Sequence, residues 1–200
     1  AQALLAMIAT LYACYHGPQG LKEIACKTHQ RTRRLLSSLQ RNGWAVLRDD
    51  VFDTFVVETN DRTDELMQRA LEAGFNLRRY SATQLGISLD ETTTDSDIQQ
   101  LATVFACREL AEVEALETSL PNSLGRDDVF LSQAVFHRYR SETEMMRYLR
   151  QLAERDIALD RSMIPLGSCT MKLNAAAEMT PVTWPEFSKI HPFAPQNQWQ

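Results

Sequence analysis

The sequence lacks the features that mark several specialised classes of protein. Its longest apolar run, near residues 3–9, is far shorter than the roughly 20 residues that a membrane-spanning helix needs, so we expect no membrane segment. No basic segment precedes an apolar stretch at the start, so the sequence predicts no secretory signal peptide. The formal net charge of -5 argues against a nucleic-acid partner.

Cysteine and histidine are few and scattered. The cysteines form no CxxC pair and, like the histidines, follow no metal-ligand spacing, so we expect no metal site. Without a secretory signal, we expect the thiols to be reduced in a cytosol-like compartment. The cysteines are Cys14, Cys26, Cys107 and Cys169, and the histidines are His16, His29, His137 and His191.

The beginning of the chain carries helical patterns. Residues 1–15 are apolar on nearly every face, which predicts a buried helix that ends at Gly17-Pro18. Residues 21–39 repeat apolar side chains at three- and four-residue spacing, which predicts a long amphipathic helix that ends at Gly43. Within it, the arginines of residues 31–34 predict a solvated helix face in preference to a phosphate site.

From Trp44 onward the pattern becomes typical of strands joined by helices. Helices are predicted after the capping residues Asp61 and Asp64, and again from Asp95. Helices combined with a small mixed or antiparallel sheet predict an α/β fold of the α+β sandwich type. The predicted strands, rich in Val, Phe and Trp or alternating in polarity, are residues 44–47, 54–58, 75–80 and 85–89.

The segment LDETTTD, residues 89–95, is rich in acidic and hydroxyl side chains. Its chemistry suits a bound cation or the wall of a pocket. Asp and Thr are also favoured at turns and helix caps, so we interpret the segment as a strand-to-helix connection.

The second part of the chain begins after a break in the pattern at residues 109–131, where PNSLG at 121–125 predicts a turn or linker. The capping box SETE at 141–144 predicts a helix whose methionines, Met145 and Met146, are packed in a core. Four prolines between Pro181 and Pro195 predict an arm without regular structure. We expect this arm to lie on a partner surface, held there by the aromatic residues Trp184, Phe187 and Phe193.

Small, hydroxyl, thiol and cationic side chains crowd into residues 162–174, SMIPLGSCTMKLN. A loop so rich in donors suits recognition of an anionic group. A nucleotide-binding P-loop is excluded, because one of its glycines is missing and Leu173 follows the lysine. Two further interpretations stay open at this point: a cysteine nucleophile at Cys169 with His191 as its base, and a surface loop without chemistry.

The same stretch resembles a known family. SMIPLGSCTMKLNAAAEMTPVTWPEFSKIHPFAP is similar to a segment of glycine decarboxylase, the P-protein of the glycine cleavage system. The resemblance extends upstream through FHRYRSETEMMRYLRQLAERDIALD, GISLDETTT and the opening AQALLA-x-x-x-x-LYACYHGP. It covers essentially the whole chain, and GSCTMK-x-N is its most specific string.

The resemblance implies a protein of two homologous halves, each built like a fold-type-I transferase that depends on pyridoxal 5'-phosphate (PLP). Only the second half binds the cofactor, and this chain resembles the junction. Residues 1–131 resemble the small α/β domain that ends the cofactor-free N-terminal half. Residues 132–200 resemble the entry into the cofactor-bearing C-terminal half, with a capped helix, the GSCTMK loop and the proline-aromatic arm.

The activity implied by the resemblance is that of a glycine dehydrogenase, a PLP-dependent oxidoreductase of glycine catabolism. Such an enzyme decarboxylates glycine and passes the aminomethyl group to the lipoyl arm of a carrier protein. The implied partners are glycine, the lipoylated carrier protein and a second copy in a homodimer of the full-length protein. The implied location is the cytoplasm of a bacterium or the mitochondrial matrix of a eukaryote.

The family places its cofactor-binding lysine in a His-Lys context followed by a glycine-rich run, and none of the four lysines here has that setting. We therefore expect no catalytic residue in this fragment, which would be inactive alone. The alternative is a non-catalytic α/β interaction module.

The side chains of the GSCTMK-x-N string have the chemistry of an anion-binding site. Its hydroxyl groups can donate hydrogen bonds to a phosphate or a carboxylate, and its lysine supplies positive charge. The candidate residues of a cofactor or substrate pocket are Ser168, Cys169, Thr170, Lys172 and Asn174.

Overall fold

The computed structural model describes residues 2–112, 121–126, 128–161 and 175–199. The chain divides into two compact units, Ala1–Arg138 and Tyr139–Gln200. The functional division predicted at residue 131 stays a prediction.

The first unit combines a long helix with a small sheet and shorter helices. Its helices are α1 (Gln2–Arg41), α2 (Thr63–Glu72), α3 (Asp95–Val104) and α4 (Val135–Arg138), and its strands are β1 (Ala45–Val46), β2 (Thr54–Glu58), β3 (Arg78–Arg79) and β4 (Gln84–Ser88). Short 3₁₀ turns span Asn60–Arg62 and Asn122–Leu124. This combination confirms the predicted mixture of helices with a small sheet, although β3 is much shorter than predicted.

The four strands form one antiparallel sheet in the order β1-β2-β4-β3. In its central pair Phe55 lies opposite Ile87, and Val57 lies opposite Leu85. Because side chains alternate across a strand, these four side chains share one face, and all of them are buried. On the opposite face Thr54 is exposed and donates a hydrogen bond of 2.9 Å to a hydroxyl of β4. One face of the sheet is therefore covered, while the other is polar.

The hydrophobic core joins that covered face to α1, α2 and α3. The three- and four-residue spacing of residues 21–39 is confirmed as an amphipathic helix, because Leu35, Leu36 and Leu39 are fully buried. Helices α2 and α3 add apolar side chains to the core at the same three- and four-residue spacing. The core members from the helices and strands include Leu35, Leu36, Leu39, Phe55, Val57, Leu66, Ala70, Leu85, Ile87, Ile98, Leu101 and Ala102.

Helix α1 is bent at Gly17, where the backbone leaves the helical region with φ 62° and ψ 179°. A positive φ combined with ψ near 180° is adopted by essentially no residue except glycine. Pro18 follows, and its fixed φ suits the start of the second helical segment. The break predicted at Gly17-Pro18 is thus confirmed, and so is the end at Gly43, whose φ is 84°.

We expect Gly17→Ala to lower the free energy of unfolding of the full chain by about 1–3 kcal/mol, since alanine is strained in this conformation. Chemical denaturation measures the change. The control is Cys26→Ala, an exposed position in the same helix, which should stay within about 0.5 kcal/mol of the parent. Equal losses in the two variants would contradict the assignment of strain to Gly17.

The predicted burial of residues 1–15 is wrong for the part of the chain that the structure describes. Leu4, Leu5 and Ile8 are 61%, 68% and 54% exposed. The apolar pattern correctly predicts a helix. Burial also needs a partner surface, and the described residues do not cover these side chains.

The predicted caps of α2 are also wrong. A 3₁₀ turn precedes the helix, so its N-cap falls on Arg62, which makes no capping hydrogen bond with its side chain. Asp64 instead forms an ion pair with Arg79 of β3. The Asp64 carboxylate, which the sequence predicts to be a helix cap, therefore links α2 to the edge strand β3.

The second unit contains α5 (Glu142–Ala153), α6 (Ala176–Met179) and α7 (Pro185–Ser188), with 3₁₀ turns at Leu159–Arg161, Thr180–Thr183 and Gln196–Gln198. The hydroxyl of Ser141 accepts a hydrogen bond of 3.3 Å from the Glu144 backbone, which confirms the predicted start of α5. The core packing predicted for its methionines is wrong, because Met146 is 63% exposed and no residue of α5 is buried.

The proline-rich arm is more regular than predicted. Pro185 occupies the first turn of α7 behind Trp184 as N-cap, where a missing backbone N–H costs no helical hydrogen bond. Trp184 and Phe187 are 49% and 62% exposed, and their ring centroids lie 6.2 Å apart. Both rings are accessible, and the partner surface expected for them stays a prediction.

Candidate functional site

The predicted pocket loop lies outside the residues that the structure describes. This applies to each of its candidate residues, namely Ser168, Cys169, Thr170, Lys172 and Asn174. His191, the base considered for Cys169, is described, and its Nδ1 accepts a hydrogen bond of 3.1 Å from the Phe193 backbone. The pocket assignment therefore stays a prediction. Among the described residues, polar side chains cluster around residues 89–97.

Two arginines of α1 hold the start of α3. The guanidinium of Arg31 donates 2.6 Å to the carbonyl of Thr93 and 3.2 Å to the carboxylate of Asp95, and Arg34 donates 3.4 Å to the same carboxylate. The side chains of Arg31 and Arg34 are only 24% and 30% exposed. The predicted solvated helix face is therefore wrong here, because these arginines bridge to another segment.

The acidic and hydroxyl groups of residues 90–97 mostly bond to one another. The carboxylate of Asp90 accepts hydrogen bonds from the backbone N–H groups of Thr92 (2.8 Å) and Thr93 (3.1 Å). Thr94 and Asp97 form a reciprocal capping box, with Thr94 N donating 2.7 Å and Asp97 N donating 3.2 Å to the partner side chain. This arrangement agrees with a strand-to-helix connection, as predicted, and leaves few of its groups for a ligand.

The same contacts lower the pKa of the Asp90 carboxyl. Partial burial alone would raise it, but hydrogen bonds from Thr92 and Thr93 to the ionised form outweigh burial and hold the pKa below its usual range. A carboxyl group with a lowered pKa in the folded state stabilises the fold above its unfolded pKa of about 3.9. That contribution is lost as the pH falls through the folded-state pKa.

We therefore expect Asp90→Asn, which keeps an acceptor oxygen but loses the charge, to destabilise the chain at pH 7 by about 0.5–1 kcal/mol, because hydrogen bonds to a charged acceptor are stronger than those to a neutral one and solvent screens this exposed side chain. The difference from the parent should shrink as the pH falls below 4, about the unfolded pKa of an aspartate, because the parent carboxyl then becomes protonated too. Denaturant midpoints across the acid range measure this. Glu91→Gln is the control, since Glu91 accepts no hydrogen bond from any residue that the structure describes. A pH-independent difference would contradict the role given to the Asp90 charge.

Glu91 lies near the aromatic residues that precede the bend of α1. Burial raises the pKa of the Tyr12 phenol, and the negative charge of Glu91 raises it further. The His16 ring packs between two tyrosines, 4.3 Å from the ring centroid of Tyr12 and 5.2 Å from that of Tyr15. The connection formed by residues 89–95 therefore approaches α1 on both sides of Gly17. Glu91 lies near the segment before the glycine, and Thr93 and Asp95 bind arginines of the segment after it.

The described residues of the first unit line open clefts, of which two are near the ends of its helices. One of about 380 Å³ lies between α2 and α3 and is lined by Arg69, Glu72 and Gln100 among others. The other, of about 370 Å³, is next to the end of α1 and is lined by Arg41 and Arg108 among others. Neither lining contains a lysine, so the described residues of these clefts offer no amine for covalent attachment of PLP.

The remaining reactive side chains are dispersed in the described part of the chain. Lys22, Lys27 and Lys189 are exposed at separate positions. Burial raises the pKa of the Cys14 and Cys107 thiols, which disfavours the thiolate form of both. Within the described ranges, no three metal-ligating side chains come together, and no helix has the length and apolar character needed to cross a membrane.

The arginine bridges are the feature that sequence reasoning missed. Arg31 and Arg34 lie three residues apart on one helix face, and Asp95 opens the next predicted helix. An acidic residue at the start of one predicted helix, together with two arginines on one face of another, indicates an ion pair between the two helices. Local periodicity could not reveal it, because the partners are more than 60 residues apart in sequence.

Comparison with known proteins gives matches along almost the whole chain. A family model described as glycine cleavage system P-protein matches residues 1–105. The chain is 52% identical over 200 residues to a Nitrobacter hamburgensis protein named glycine dehydrogenase (decarboxylating). It is 50% identical over 210 residues to proteins of that name from Paraburkholderia phytofirmans and Paraburkholderia xenovorans. Each match covers 99% of this chain but only 21–22% of the relative.

Proposed function

Because the chain belongs to the glycine cleavage system P-protein family, we propose that it is part of a glycine dehydrogenase. The complete protein decarboxylates glycine and transfers the remaining aminomethyl group to the lipoyl arm of a carrier protein. The observation that carries this proposal is the identity of 50–52% to three proteins named glycine dehydrogenase (decarboxylating), extending over 99% of the chain.

The proposed role of the first unit is that of a small domain packed on a larger one. Among the described residues, its sheet is covered on one face only, and the first segment of α1 presents Leu4, Leu5 and Ile8 to solvent. Apolar side chains exposed together on one helix favour contact with further protein surface. This supports placement of residues 1–131 as the small domain of a fold-type-I half, with residues 132–200 beginning the next half.

PLP, when bound, supplies an electron sink for decarboxylation of an amino acid. The described residues of this chain do not fit the cofactor, because their three lysines are exposed outside both clefts. We therefore place the covalent attachment of PLP elsewhere in the full-length polypeptide. The contribution proposed for residues 162–174 is to donate hydrogen bonds and positive charge to the phosphate or to the glycine carboxylate.

The proposed partners follow from this assignment. They are glycine, the lipoylated carrier protein and a second copy of the full-length protein in a homodimer. The three relatives are bacterial proteins, and we propose the bacterial cytoplasm as the location.

The test of this function uses the full-length protein that contains this chain. Carboxyl-labelled glycine should release labelled carbon dioxide when PLP and the oxidised lipoylated carrier protein are both present. Omitting the carrier protein or the cofactor gives matched controls. Release that stays at the level without protein would overturn the proposed activity.

A further prediction concerns the 200-residue chain alone. We expect it to form no covalent adduct with PLP at a defined position, because none of its four lysines has the His-Lys sequence setting that the family resemblance implies. Borohydride reduction followed by peptide mass mapping measures this. The full-length protein, treated in parallel, should be labelled at one lysine beyond this chain. Stoichiometric labelling confined to Lys172 of the isolated chain would contradict the prediction.

A further inference from the structure

The end of helix α1 carries the only Asn-Gly pair in the sequence, Asn42-Gly43. Asparagine is chemically labile, because the backbone nitrogen of the next residue can attack its side-chain carboxamide. A side chain on that next residue hinders the attack, and glycine has none. The residue pair therefore marks Asn42 as the candidate position for loss of an amide group in this chain.

The fold builds Asn42 and Gly43 into the hydrogen-bonded end of α1, residues 38–44, which we call the α1 cap. The backbone N–H groups of Gly43 and Trp44 each donate a hydrogen bond of 3.0 Å to a carbonyl of the last helical turn. With Gly43 at φ 84°, these two bonds form the Schellman motif that ends many helices. The side chain of Asn42 adds a third bond, in which Nδ2 donates 2.8 Å to the carbonyl of Ser38.

The α1 cap engages both of the groups that would react. The nucleophile is the backbone nitrogen of Gly43, whose hydrogen is bonded to the carbonyl of Gln40. The leaving group is Nδ2 of Asn42, which is bonded to the carbonyl of Ser38. Asn42 is exposed, so access of solvent does not limit the reaction. The closed cap protects Asn42, because both hydrogen bonds must break before the two groups can react.

We propose that Asn42 is a modification site, protected while the α1 cap is closed and converted to aspartate or isoaspartate when the cap opens. The nitrogen of Gly43 bonds to Cγ of Asn42 as the bond from Cγ to Nδ2 breaks. Nδ2 leaves as ammonia, with the hydrogen that the Gly43 nitrogen gives up. The cyclic imide that remains takes up one water molecule, which opens either of its two C–N bonds. No oxidant or reductant takes part.

The conversion prevents the α1 cap from closing again in its original form. Neither product has the amide group that donates to the carbonyl of Ser38. In isoaspartate the main chain runs through the former side chain and is one carbon atom longer, which displaces Gly43 and Trp44 from the helix end. Trp44 links the cap to the end of α3, since its indole Nε1 donates 2.9 Å to the carbonyl of Phe105. Conversion at position 42 therefore weakens the link between α1 and α3.

The test incubates the full-length protein at mildly alkaline pH, both folded in buffer and unfolded in guanidinium chloride. Trypsin releases residues 42–48 as a peptide without another asparagine, and mass spectrometry separates the amide from the acid. In the unfolded protein, Asn42 should convert faster than the other asparagines of these 200 residues. In the folded protein its conversion should be about tenfold slower or more, because the cap must first open. Equal rates in the two states, or faster conversion of another asparagine of this chain, would overturn the proposal.

Trp44→Phe tests whether opening of the cap controls the reaction within the folded protein. The substitution removes the indole N–H that bonds to Phe105 and leaves Asn42 and Gly43 in place. The cap should then open more often, and conversion should become about two- to tenfold faster, the range for loss of one hydrogen bond. Trp184→Phe, the same replacement in the second unit, is the control and should convert at the parent rate. A parent rate in Trp44→Phe would contradict protection by the cap.

Discussion

Leu35→Ala is expected to lower the free energy of unfolding of the full chain by about 2–5 kcal/mol, the range for a leucine removed from a packed core. Leu35 is fully buried on α1 and belongs to the cluster that joins this helix to the covered face of the sheet. The loss combines the transfer free energy of the deleted methyl groups with the cost of the cavity that remains. Urea denaturation followed by circular dichroism measures the change.

The matched control is Leu71→Ala on α2. Leu71 is 43% exposed, so the same chemical deletion leaves no enclosed cavity, and alanine has a slightly higher helix propensity. We expect a change within about 0.5 kcal/mol. Comparable losses at both positions would show that α1 does not supply the centre of this core.

Lys172→Met in the full-length protein is expected to lower kcat/KM for glycine decarboxylation by about five- to a hundredfold. This corresponds to the roughly 1–3 kcal/mol of a charge-assisted hydrogen bond to a carboxylate or phosphate. The expectation rests on the proposed function and on the chemistry of residues 162–174. The melting temperature should change little, because removal of one charged group from a predicted surface loop usually costs under about 0.5 kcal/mol.

Lys189→Met provides the control for removing a lysine. Lys189 is exposed just after α7 and makes no ion pair with any residue in the described ranges, so kcat/KM should stay at the parent value. Unchanged kinetics in Lys172→Met would leave residues 162–174 as a connecting loop. A large fall in its melting temperature with a proportionate loss of activity would make the role of Lys172 structural.

In the first unit, the helix predicted over residues 21–39 and the strand predicted over residues 54–58 are confirmed, because local pattern and burial agree there. The alternation in residues 54–58 places Phe55 and Val57 on one face, and that face is the buried one. The three- and four-residue spacing in α1 likewise places its leucines inside. In both cases the partner surface lies within the same unit, so a pattern that predicts an apolar face also predicts its burial.

The sequence predicted less well wherever the partner of a side chain is distant or outside the described residues. Leu4 and Leu5 have the pattern of a buried helix and are exposed, because a pattern identifies an apolar face but not the surface that covers it. Arg31 pairs with Asp95, a contact that no local window contains. For the pocket loop, residue chemistry predicted an anion-binding site, while its geometry lies outside the described ranges.

The edges of the sheet affect how copies of this protein can associate. The outer strands β1 and β3 are two residues long, and β3 consists of the exposed arginines Arg78 and Arg79. Edge strands this short, one of them also charged, offer almost no free backbone ladder to a strand from another molecule. Strand addition and the early steps of amyloid-like stacking are therefore blocked at both sides of the sheet. Exposed apolar surface, such as that around Leu4 and Leu5, is therefore a more favourable starting point for self-association, because side-chain contacts form there without a β-ladder.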